Sequence, residues 1–128
     1  MTGFWDDADI ISTYTRAQAI EDGALLDVSA LAREAGFRLP LAITAGVHAL
    51  LSDIPQDSGE DYTGRLWDVL WMASLAAKRQ PTKDAISFDV IVHTTDKPRG
   101  EEVRALWMKI GPGDTNDPVL TIMLWGED

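Results

Sequence analysis

Ile86-Ser87-Phe88-Asp89-Val90-Ile91-Val92-His93, Ala105-Leu106-Trp107-Met108-Lys109-Ile110 and Val119-Leu120-Thr121-Ile122-Met123-Leu124-Trp125 decide the fold class of this chain. In the first run Ile86, Phe88, Val90 and Val92 share one side, and Ser87, Asp89, Ile91 and His93 the other. Leu106, Met108 and Ile110, then Leu120, Ile122 and Leu124, repeat the same alternation. Period two over six or more residues, rich in β-branched and aromatic types, is the signal of a strand with two unlike faces. The connectors Thr94–Gly100 and Gly111–Pro118 are rich in turn formers and too short for a crossover helix, so the three strands should form an antiparallel meander.

Upstream the spacing turns helical. A short helix is predicted from Tyr14 to Asp22, stopped by Gly23. Ala24–Val28 reads as extended and is a candidate edge strand. Ser29 is a fair N-cap for a helix over Ala30–Ala35 that Gly36 closes. Pro40 suits the first turn of a helix reaching Ser52, in which Gly46 marks close packing. The longest helix should span Glu60 to Gln80, before Pro81. Its stripe of Tyr62, Leu66, Val69, Leu70, Ala73 and Ala77 is widened by Trp67, Trp71 and Leu75, which predicts cover on two sides. The expected architecture is α+β: a single domain, residues 1–128, with N-terminal helices packed on one face of a C-terminal three- to four-stranded antiparallel meander.

Composition bounds the chemistry. The chain has 128 residues, 45% apolar and 25% charged, enough for one folded core. It has no cysteine, which excludes disulfides, thiolate metal sites and cysteine nucleophiles and fits a cytoplasmic location. The first residues show neither a basic region nor an apolar core, and no apolar run approaches the ~20 residues of a membrane span, so no membrane partner is expected. The net charge of −10 argues against direct nucleic-acid binding and favours a basic protein or protein surface as partner.

No catalytic, cofactor or metal residues are identified. His48 and His93 have no ligand companion at helical spacing. The six serines sit in no nucleophile elbow, and Gly111-Pro112-Gly113-Asp114 reads as a hairpin turn rather than a phosphate cradle. A carboxylate-dependent hydrolase using Asp27 or Asp89 with His93 is the weaker alternative. Asp89 and His93, four residues apart on one strand, are separated by about 13 Å.

Two features point to binding. Carboxylates cluster at Asp6, Asp7 and Asp9 and at Glu101 and Glu102; solvated loops explain such clusters, and a charge mimic of nucleic acid explains them too. On the second face of the sheet, Ile91, Val103, Trp107, Met123 and Trp125 form an apolar patch where a water-facing sheet should be polar. Either the N-terminal arm and a helix cover it, or it serves a homodimer or a target. The residues expected to bind a partner are therefore Asp6, Asp7, Asp9, Glu101, Glu102, Trp107, Met123 and Trp125.

Phe4-Trp5-Asp6-Asp7 with Ile10-Ile11-Ser12, Tyr14 through Gly23, Leu26-Asp27-Val28-Ser29 and Ala35-Gly36-Phe37-Arg38-Leu39-Pro40 resemble the N-terminal signature of a family of short proteins of unknown function. Its members occur mainly on bacterial plasmids, phages and integrated elements. The resemblance covers about the first 45 residues and carries no chemistry over. It implies a mobile-element setting, in which the expected function is binding and inhibition of a host macromolecule, as an anti-CRISPR-like inhibitor does. The alternative of a different class is an accessory protein that acts by self-association.

Overall fold

The computed structural model describes residues 14–80, 84–95 and 97–127, the side chains of 97–101 excepted. Thr15 opens α1 (Arg16–Asp22) with a reciprocal capping box. Its hydroxyl accepts from the Gln18 N–H, and its own N–H donates to the Gln18 side chain. Gly23 ends the helix at φ 85°, a left-handed conformation costly to any side chain. Then come β1 (Leu25–Asp27), α2 (Ser29–Glu34), β2 (Leu41–Thr44) and α3 (Ala45–Ser52). The C-terminal half contains α4 (Tyr62–Arg79), β3 (Ala85–Thr94), β4 (Lys97–Pro112) and β5 (Pro118–Leu124).

The α+β class holds, with a sheet that is larger and mixed. Among the described residues it has five strands in the order β1-β2-β5-β4-β3. β3, β4 and β5 form the expected antiparallel meander, but β2 joins β5 in parallel, Leu41 beside Leu120 and Ile43 beside Ile122. The predicted helix from Pro40 to Ser52 therefore divides. Leu41, Ala42 and Ile43 are buried on both faces, so their short apolar run carries neither period, and it pairs as a strand. Helix begins only at Ala45, where the Thr44 hydroxyl accepts from the Val47 N–H. Gly46 is closely packed as expected: a Cβ there would stand 3.0 Å from Leu124 Cδ1 and 2.6 Å from Glu127 Oε2.

Ala24–Val28 does supply the edge strand β1, paired antiparallel to β2. Ser29 is the first helical residue rather than the cap. It donates through N–H and hydroxyl to Asp27 Oδ1 and accepts from the Leu41 N–H, tying α2 to the start of β2. These bonds from Ser29, with Arg16 and Arg33 nearby, hold the Asp27 carboxyl below its ordinary range against the opposing effect of its partial burial.

The core lies between one sheet face and α2, α3 and α4. Leu41, Ile43, Leu106 and Ile122 project from the sheet to meet Val47, Leu51, Val69 and Leu70. Helix α1 lies against the other face, where the Arg16 guanidinium donates to Thr121 Oγ1 and to the Leu120 carbonyl. Asp114, from the β4–β5 turn, accepts the first two N–H groups of α1.

Ile43 is fully buried at the seam between β1–β2 and the meander. Ile43→Ala is expected to cost about 3 kcal/mol, lost transfer energy plus a cavity, read as a lower midpoint in urea with unchanged slope.

Candidate partner-binding surface

The outer face of β3, β4 and β5 is built by strand parity. With Leu106, Met108 and Ile122 turned into the core, Val103, Trp107 and Met123 must turn outward. Trp107 sits directly across from Met123, and Ile91 directly across from Val103. Trp125, whose N–H extends the ladder to the Ala105 carbonyl, meets the Trp107 ring edge-on, centroids 4.5 Å apart at 85°. Lys109 Nζ lies 4.8 Å from the Trp107 ring centre. Ile91, Val103 and Trp125 are about 60% exposed, while Met123 is buried beneath this cluster. The Trp107 indole N–H is buried and has no acceptor among the described residues.

Sequence and structure thus agree on Trp107, Met123 and Trp125 as one group. Glu102 is separate from it: paired with Val92, it shares the helix-side parity. Asp6, Asp7, Asp9 and the Glu101 side chain lie outside the described residues. Cover of the outer face by a helix is partial, since α1 reaches β5 through Thr121 and the Ile91–Val103–Trp125 surface is exposed.

Around the free edge of β3 the surface continues into a cleft. One compartment of about 490 Å³ is lined by Asp68, Trp71, Met72, Asp89, Ile91 and Val103. A second, of about 290 Å³, shares Met72 and Asp89 and extends to Arg79 and Ser87. The expected cover on two sides of the long helix is therefore incomplete. Trp71 and Met72 are exposed, and Trp71 is held by stacking on half-buried Trp67, centroids 6.3 Å apart.

Arg65 positions α4 against β3, and the sequence offers no periodic signal for it. Buried to 4% exposure, it donates to the carbonyls of Leu50, Asp53 and His93 and, through Nε, to Glu60 at 3.0 Å. Glu60 also meets His93 Nδ1 at 3.1 Å. Desolvation pushes the Glu60 carboxyl upward, but the bonds from His93 and Arg65 outweigh it and hold the group below its ordinary value. His93 is thus engaged by Glu60, while Asp27 is engaged by Ser29; the structure does not join Asp27 to His93 as a hydrolytic pair. His48 Nδ1 lies 2.6 Å from the Tyr62 hydroxyl, a link between α3 and α4, and burial raises the Tyr62 hydroxyl above its ordinary range. Among the described residues no group of three histidine or acidic side chains is arranged to hold a metal ion, and no helix is long and apolar enough to cross a membrane.

The fold and surface describe a small α+β scaffold with an exposed aromatic sheet face. The family of unknown function DUF6573 matches residues 1–128, and the chain belongs to that family. No curated protein and no solved structure matches it.

Arg65→Met removes the donors from three carbonyls and from Glu60, and is expected to destabilise the fold by about 3 kcal/mol in urea unfolding. The depressed Glu60 carboxyl stabilises the folded state above its ordinary pKa, and that contribution disappears as pH falls through the lower folded value. Between about pH 6 and pH 3, wild type should therefore lose more stability than Glu60→Gln. Equal losses would contradict this assignment.

Proposed function

We propose that this chain works by binding, occupying a basic surface of another macromolecule and thereby inhibiting it. The carrying observation is the outer sheet face, where Ile91, Val103 and Trp125 stand exposed beside half-buried Trp107 on a chain of net charge −10. Exposed aromatic anchors supply the energy of protein interfaces, and a strong opposite charge raises the encounter rate. The resemblance to proteins of plasmids and phages supports a cytoplasmic anti-defence role, with a CRISPR effector as the target class. The charge disfavours the self-associating alternative, since each copy repels the next.

The test is affinity capture of a purified CRISPR effector complex, with its cleavage activity assayed in parallel. Retention is expected at low salt and should fall at least about tenfold near 1 M, where screening shortens to about 3 Å. Trp125→Ser should weaken both retention and inhibition while leaving stability within about 0.5 kcal/mol of wild type. Failure to retain the complex at low salt rejects this target, and retention indifferent to Trp125 rejects the face. A concentration-dependent dimer in light scattering, lost in Trp125→Ser, would favour self-association.

A further inference from the structure

The ten-residue strand β3 is the outer edge of the sheet, paired among the described residues only on its β4 side. Its backbone parity is fixed at both ends. The Asp84 carbonyl, just before the strand, accepts from the Ile110 N–H, so even-numbered residues turn toward β4. The His93 carbonyl turns the other way and accepts from Arg65. The N–H and C=O groups of Ala85, Ser87, Asp89 and Ile91 therefore point away from the sheet, along the cleft beside α4. Arg65 on His93, with Asp53 accepting the Thr95 N–H, closes this free ladder at one end.

We propose that this edge is a strand-addition site: an extended segment of a basic partner pairs with β3 as a sixth strand, in the cleft between β3 and α4. Backbone bonds to Ser87, Asp89 and Ile91 would hold the segment, and its alternate side chains would fall on unlike surroundings. Apolar side chains turned toward α4 meet Trp71 and Met72. A lysine or arginine turned to the opposite face lies beside the Asp89 carboxylate, and Asp68 adds negative charge to the same cleft. About seven residues, roughly 20 Å at strand rise, span Ala85 to Ile91.

Charge selects the occupant. In a second copy pairing β3 to β3 about its middle, Asp89 would face Asp89, between chains that each carry −10. The chain's own residues 1–13 contain Asp6, Asp7 and Asp9 and neither lysine nor arginine, so they too would bring like charge to Asp68 and Asp89. The proposal rests on the binding function argued above and adds the site and the form of the ligand.

The probe is the fluorescein-labelled heptapeptide acetyl-Val-Lys-Val-Lys-Val-Lys-Val-amide, titrated against the full chain. Saturable anisotropy is expected, with slowed amide exchange at Ser87, Asp89 and Ile91. Methylating one alternate set of peptide nitrogens should weaken binding at least about tenfold, while the other set is tolerated, because only one set faces the edge. Asp89→Pro removes an outward N–H without touching the β4 ladder and should abolish binding; Asp68→Asn with Asp89→Asn should weaken it and flatten its salt dependence. If Asp89→Pro does not fold, the two methylated peptides still decide. Binding indifferent to which nitrogens are methylated, slowed exchange at β1 instead of β3, or no saturation at about 1 mM overturns the proposal. If the heptapeptide fails while the Trp125-dependent capture persists, strand addition falls and the broader reading stands. If both fail, both fall.

Discussion

The parallel contact between β2 and β5 is the constraint on which the rest of this structure depends. Without it, β3, β4 and β5 form a three-stranded ribbon and β1 and β2 an isolated strand pair, each with an apolar face exposed to water. A two-stranded unit is marginal alone. Joined, they set Ile43 beside Ile122 and Leu41 beside Leu120 in one continuous floor under α2, α3 and α4. The parallel pair needs a long return path, and the chain supplies it as α3, α4, β3 and β4, from Ala45 to Asp117.

The long helix inherits its position from this arrangement, and Arg65 locks it. A buried guanidinium without acceptors would be costly, yet this one finds three carbonyls and a carboxylate drawn from α3, the loop after it, and β3. These bonds join one end of α4 to the far end of β3. The remaining turns of the helix then run beside the strand's open edge, carrying Asp68, Trp71 and Met72 along it. The cleft is thus a by-product of how the core is anchored, and its shape does not depend on loops.

How much of this was legible in the residues themselves follows from what each position packs against. The meander strands bury one face in the core, so period two survives in Ile86–Val92 and Leu120–Leu124, and the first and third runs match β3 and β5 within a residue, whereas β4 begins at Lys97, inside the stretch read as the turn-rich connector Thr94–Gly100. β2 is enclosed on both faces, which erases the period and left Leu41–Thr44 looking like the first turn of the helix that follows. The parallel partner was illegible for a different reason: contact between residues 41–44 and 118–124 joins stretches with no local turn between them. Parity alone groups Trp107, Met123 and Trp125, and the register and ring contact place them together. Arg65 could not be found that way, because a single charged residue at Tyr62+3 resembles any solvated helix position until its acceptors are known.

An open edge, an aromatic face and a strong negative charge make physical sense together. Proteins commonly guard a free strand with proline, lysine or a bulge. β3 contains neither proline nor lysine, and the one pairing irregularity falls beyond Val92, so Asp89 is the only acidic guard along the open stretch. What keeps copies of this chain from zipping together along β3 is then largely the collective repulsion of molecules carrying −10 each, acting over a screening length of about 8 Å. That form of protection is selective by sign. It opposes a second copy and most acidic proteins, and it attracts a basic one. A surface that would invite aggregation on a neutral protein becomes, on this chain, one that discriminates between partners before any side chain has made contact.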